Sequence, residues 1–176
     1  MMNLIEKFFT RSHSQKQILR TQFAEYFFSQ AEHQWITADM KTHFDELFSR
    51  LPVGVIEAMM TKYPVSFLKS GSDHARLAQT HSFSSAIVVF PEFQKLLATS
   101  KRSAVAYLAH ELAFVLYELE ESKVDPIMAE VEADKFVCDI GLMFELEELL
   151  LMLDETIEKR VRLTYLTAHH FSSEAN

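Results

Sequence analysis

RSAVAYLAHELAFVLYELEE, residues 102–121, and DPIMAEVEADKFVCDIG, residues 125–141, decide how the rest of this 176-residue chain is read. The first stretch has no Gly or Pro and is rich in Ala, Leu and Glu, which predicts a helix. At about 100° per residue, Val105, Leu108, Ala109, Leu112, Val115, Leu116 and Leu119 form one apolar stripe. His110 and Phe114 fall roughly opposite it, flanked by Tyr107 and Tyr117, so this helix is expected to be covered on both sides. In the second stretch Asp125-Pro126 is a helix start, with an acid at the N-cap and Pro in the first turn, and Gly141 is a stop. Ile127, Glu130, Val131, Asp134, Val137 and Cys138 share the inner face of this second helix, and Glu132, Lys135 and Asp139 share the wet one. Glu130 and Asp134 therefore sit in the middle of an apolar stripe. A buried carboxylate needs a partner or a proton, and His110, one short loop away, is the nearest candidate.

These two helices carry a family resemblance. His110-Glu111-Leu112-Ala113-Phe114 resembles the HExxH helix of zincin metallopeptidases in four of five positions, the two free ones included. Glu130-Val131-Glu132-Ala133-Asp134, followed by Lys135-Phe136, resembles the ExxxD helix of gluzincins, in the E-x-E-A-D-R-F form of CAAX-type and heat-shock-type peptidases. The resemblance implies His110 and Glu130 as zinc ligands, Glu111 as general base, and Asp134 as the carboxylate behind the ligands that orients one of their histidines. The position of the second ligand histidine is occupied by Phe114. Catalytic zinc needs three protein ligands and an open position for water, and only two of the three remain. Without the metal Glu111 has no acidified water to deprotonate. His110, Glu130 and Glu111 then read as a vestigial site, with no cofactor expected.

Composition limits the other possibilities. The chain is 48% hydrophobic with 15 Phe and one Trp, enough apolar material for a real core, and its three Gly and four Pro fit a mainly helical protein. A net charge of −8 argues against a nucleic-acid partner. The single cysteine, Cys138, forms no disulfide framework and suits a reducing, cytoplasmic compartment. On the inner face of a helix it is also a poor nucleophile. No apolar run is long enough to span a bilayer, and residues 1–11, with charges inside their apolar stretch, do not read as a secretory leader. The remaining histidines show no metal-binding spacing, and there is no Gly-rich phosphate loop or GxSxG.

Around the central helices the periodicity predicts an amphipathic segment over 3–10, then helices over 15–31, 38–49 and 53–61. The aromatic stripes of the first helices (Ile18, Leu19, Phe23, Tyr26 and Phe27, then Met40, Phe44, Leu47 and Phe48) read as core, dimer contact or membrane contact. Strands are predicted over 65–68, weakly over 77–83, and over 86–90, the β-branched run AIVVF that Pro91 ends. Beyond Gly141, helices over 143–154 and 155–169 follow, with Phe144, Leu146, Leu149, Leu150, Leu153, Ile157, Val161, Leu163 and Leu166 as their apolar residues. The segment 158–166, EKRVRLTYL, resembles the Arg-containing helix that follows the ExxxD helix in these peptidases.

The expected architecture is α+β and mainly helical, a zincin-like domain with a small sheet of two or three strands packed on the HExxH-type helix. Residues 1–176 read as one domain: N-terminal helices over 1–62, a zincin-like core over 63–170 and a tail over 171–176. The expected function is a non-catalytic pseudopeptidase acting as a binding or scaffold protein, with a peptide or protein partner and a possible homo-oligomeric state. Two alternatives stand beside it. One is an active zinc metallopeptidase with a third ligand recruited from elsewhere. The other is an unrelated helical domain whose polar cluster is structural.

Overall fold

The computed structural model describes residues 13–70, 85–99, 101–120 and 125–174. It is mainly helical with a small parallel sheet. Its residues fall into two compact units, Met1–Thr99 and Ser100–Asn176. The strands fall in the first unit with the N-terminal helices, and the His110 helix falls in the second. The predicted segments over 3–10 and 77–83 lie outside the described residues.

The first unit contains α1 (His13–Ser29), a 3-10 turn (Ala31–His33), α2 (Ala38–Arg50), α3 (Val53–Thr61), β1 (Val65–Lys69), β2 (Ser85–Val89) and α4 (Pro91–Thr99). Thr37 caps α2 by accepting a hydrogen bond from the Met40 amide. Pro91, expected only to end a strand, also opens α4, where its missing N–H costs nothing. The aromatic stripes prove to be core. Phe23, Phe27, Phe44 and Phe48 are buried together with Phe67 of β1, in edge-on and tilted pairs such as Phe23–Phe48, whose ring centroids lie 4.9 Å apart. Ile18 and Tyr26, counted on the same stripe, are exposed instead, because the buried face of α1 is narrowed to Phe23 and Phe27.

β1 and β2 run parallel in register Val65↔Ser85 through Lys69↔Val89. Pro64 O accepts from the Ser85 amide and the Ser70 amide donates to Val89 O, so even-numbered positions of β1 face β2. The outer edge of β1 is closed at Phe67. Its N–H donates to His33 Nε2 at 3.1 Å and its C=O accepts from Trp35 Nε1 at 3.0 Å. That bond fixes the His33 tautomer. Nε2 accepts, so Nδ1 carries the proton and donates to Phe27 O at 2.7 Å, while the ring stacks on Phe27. Burial pulls the His33 pKa below its ordinary value against the opposing pull of the Phe27 carbonyl and Glu32. A cleft of about 210 Å³ opens beside Phe23, Tyr26, Phe27 and Met59; it is smaller than the roughly 300 Å³ at which ligand pockets begin.

The second unit is built of α5 (Lys101–Glu120), α6 (Pro126–Asp139), α7 (Met143–Met152) and α8 (Ile157–Glu174). α5 packs on α6 and α7, and α8 packs on α6 and α7. The predicted signals at both ends of α6 hold. The Asp125 carboxylate accepts from the Ile127 and Met128 amides, with Pro126 in the first turn. Gly141, at φ 79°, ends the helix. The Leu142 amide reaches back to Val137 O and the Gly141 amide to Cys138 O, and Leu142 and Val137 are both fully buried. Only Gly adopts that left-handed conformation without a Cβ penalty.

Burial corrects several expectations. The N-terminal half of α5 is covered nearly all round, from Ser103 to Ala106 and from Leu108 to His110, but Tyr107 and Leu119 are exposed and Val115 and Leu116 half-buried, so coverage of both sides does not extend to its end. Ile127, expected on the inner face, is exposed at the first turn of α6. Of the apolar residues named on the last two helices, Leu146, Leu150 and Leu166 are buried, Leu149 and Leu163 half-buried, and Phe144, Leu153, Ile157 and Val161 exposed. No helix among the described residues is long and apolar enough to cross a membrane.

Candidate functional site

The expected convergence is present. His110 on α5 meets Glu130 and Asp134 on α6: its Nε2 lies 3.0 Å from Glu130 Oε2 and its Nδ1 lies 2.9 Å from Asp134 Oδ1. Glu130 and Asp134 are one helical turn apart on α6, so both carboxylates reach the same neighbour. Asp134 is fully buried and His110 nearly so, whereas Glu130 keeps about a quarter of its side chain in solvent, 23%. Glu130 is thus the group through which the cluster reaches the surface.

A fourth member was not picked out from the sequence. Arg162, buried on α8, clamps Asp134 with two hydrogen bonds, Nε to Oδ2 at 2.8 Å and NH2 to Oδ1 at 2.7 Å. Its NH1 lies 2.8 Å from Glu130 Oε2 and 3.8 Å from Glu158 on its own helix. The signal for it existed. Two inward carboxylates with only one histidine between them call for a second cation, and Lys159, Arg162 and Leu166 share one face of the segment 158–166 whose arginine content resembles the peptidase helix. Spacing alone did not say which arginine, Arg160 or Arg162, turns inward. Arg160 is exposed and pairs with Glu155.

Protonation follows from this geometry. Both His110 nitrogens face carboxylate oxygens, so the ring donates twice only as the imidazolium. Burial pulls its pKa down, the hydrogen bonds it donates to Asp134 and Glu130 push it up, Arg162 pulls it down again, and the balance lies at about 8. With His110 protonated, the 3.3 Å approach of Arg162 NH2 to Nδ1 is a contact between two donors, tolerated because Asp134 accepts from both. Glu130 is held below the usual carboxylate range: burial raises it, and the His110 hydrogen bond and charge, with Arg162, lower it further than that. Since the His110 pKa is higher in the folded chain than its ordinary 6.5, its contribution to stability is complete below about pH 6.5 and is lost as pH rises through about 8. His110→Gln should abolish this part of the stability profile between pH 6 and pH 9, as read by denaturant unfolding at each pH; a profile in that window unchanged by the substitution would contradict the double hydrogen bond.

Glu111, the expected general base, is half-buried and accepts a hydrogen bond from Tyr107 one turn earlier on α5. Burial raises its pKa, opposed by the His110 charge and the Tyr107 bond. Phe114, one turn after His110, is half-buried. Cys138 is half-buried and its thiol is pushed up to about 12 by burial and by the nearby Asp134 and Asp139 charges, which leaves it inert as a nucleophile.

The residues present do not fit a zinc ion. Among the described residues no three His, Cys, Asp or Glu side chains are grouped to hold a metal. The two candidate donors, His110 and Glu130, are hydrogen-bonded to each other, and Arg162 supplies a fixed positive charge to the same Glu130 oxygen that a metal would use. Comparison of the chain with family models, with curated proteins and with solved structures returns no match.

Proposed function

We propose that this chain is a zincin-like pseudopeptidase, without metal-dependent catalysis, that acts as a binding or scaffold protein. One observation carries the reading: the fully buried Asp134 holds His110 Nδ1 and so aims Nε2 at Glu130. A carboxylate that orients a ligand histidine through its far nitrogen is the usual support of a metal-binding imidazole. Phe114 stands where the next ligand belongs, and Arg162 together with the protonated His110 balances the two acids in place of a dication. Binding in this reading is by strand addition of an extended peptide. The outer edge of β1 is closed at Phe67 by His33 and Trp35, whereas among the described residues β2 has a strand partner on one side only.

The test is metal content. Protein purified without chelator should carry far less than one equivalent of zinc, and added zinc should neither raise its melting temperature nor switch on peptide hydrolysis. Stoichiometric zinc that disappears in His110→Ala would favour an active metallopeptidase with a recruited ligand and overturn the reading.

A further inference from the structure

Phe67 of β1 turns both of its main-chain groups away from β2, and two side chains meet them. Odd-numbered positions of β1 face the outer edge, so β2 cannot satisfy the Phe67 N–H and C=O. Trp35 Nε1 donates to the carbonyl at 3.0 Å, and His33 Nε2 accepts from the amide at 3.1 Å. The two bonds differ in one respect. An indole N–H donates at any pH, whereas an imidazole nitrogen accepts only while the ring is neutral. The ring is also fixed in place. Turning Nε2 away from β1 would break the Nδ1 bond to Phe27 O at 2.7 Å and disturb the stack on the Phe27 ring, whose centroid lies 3.7 Å away.

We propose that His33 is an acid-released latch on the sheet: neutral, it holds the outer edge of β1 shut, and on gaining a proton it sets an N–H against the Phe67 N–H and lets that edge go. A strand edge with unpaired main-chain groups is a template on which another strand pairs, so acid makes available an edge that is closed at neutral pH. The charge around the ring is simple. Glu32, beside it in the 3-10 turn, favours the protonated ring and accepts from Ser66 Oγ of β1 at 3.2 Å. In the cleft that adjoins the ring, α1 contributes Tyr26 and α3 contributes Met59, and Glu32 is the one carboxylate. Burial outweighs both Glu32 and the Phe27 carbonyl, which holds His33 below its ordinary 6.5. With a lowered value in the folded chain, the contribution of the latch to stability is complete above pH 6.5 and is lost as pH falls through that lower value. The His110 cluster and the zincin kinship play no part in it.

Trp35 is the single tryptophan of the chain and sits on the carbonyl of the same Phe67, so its fluorescence reports the edge directly. In an acid titration of the full chain down to about pH 4, Trp35 emission should change in one step where the His33 ring resonances titrate, below pH 6.5. Across that step the Phe67 amide should lose at least ~10-fold of its protection from hydrogen exchange, with far-ultraviolet circular dichroism unchanged. His33→Gln, whose side-chain carbonyl accepts a hydrogen bond and does not titrate, should abolish the step. Glu32→Gln should keep it and move it to lower pH, because Glu32 favours the protonated ring. A Phe67 amide equally protected on both sides of the His33 titration overturns the proposal. So does a step that survives His33→Gln, disappears in Glu32→Gln, or coincides with loss of helical dichroism, which would be unfolding of the unit and not release of one edge.

Discussion

Replacing Arg162 by Met is expected to lower the unfolding free energy of the Ser100–Asn176 unit by about 3–5 kcal/mol, the range for breaking a buried ion pair from one side. Asp134 has no solvent to turn to, and Arg162 supplies both hydrogen bonds of its clamp and the charge that balances it. The substitution leaves two carboxylates sharing one imidazolium, and takes from the fully buried Asp134 Oδ2 the Arg162 N–H it accepts. Whole domains are stable by only about 5–15 kcal/mol, so a large share of the margin goes. Arg162→Lys keeps the charge but loses the planar two-bond clamp, and should fall between wild type and Arg162→Met. Removing the acids together with the arginine, as Arg162→Met with Asp134→Leu and Glu130→Gln, should recover most of the loss, because nothing charged is then stranded. Denaturant unfolding followed by far-ultraviolet circular dichroism gives all three values. An Arg162→Met protein within ~1 kcal/mol of wild type would mean that the cluster is not what holds α5, α6 and α8 together.

The parts of this fold that were legible in the sequence are those dictated locally. Asp125-Pro126 and Gly141 bracket α6 because a capping carboxylate, a ring-fixed φ and a residue free of Cβ act within a few positions of themselves. The β-branched run at 86–90 forms a strand for the same reason, shifted by one residue to Ser85–Val89. His110, Glu130 and Asp134 were legible as a cluster because inward acids on an apolar stripe need partners, and the structure brings the three together. Arg162 was harder, because which of two arginines turns inward depends on how α8 is rotated against α6, and a sequence periodicity fixes that only to within a residue or two. Ile157, Val161 and Phe144 show the same weakness from the other side. Apolar spacing marks a face that wants covering, and it does not say whether the chain's own unit covers it. The closing of β1 by His33 and Trp35 rests on pairings 34 and 32 residues apart, which no local pattern announces.

Restoring the missing imidazole is the second large expectation. Phe114 is one helical turn after His110, so the imidazole that Phe114→His introduces shares the His110 face of α5. Its nitrogen joins His110 Nε2 and Glu130 Oε2 to make three donors, and Asp134 already fixes the orientation of His110. Affinity should exceed that of the wild-type chain by ~100-fold or more, as expected for completing a three-ligand set. It should stay below that of a dedicated zinc site, because Arg162 NH1 competes for the same Glu130 oxygen. Binding should strengthen as pH rises through about 8, where His110 gives up its proton.

Calorimetric titration of zinc into Phe114→His protein therefore bears most directly on the kinship. The expected result is one site with a low-micromolar dissociation constant, absent in the wild type and removed by adding His110→Ala. No saturable binding, or binding that survives the loss of His110, would contradict a degenerate zinc centre and leave a polar cluster that only holds helices together.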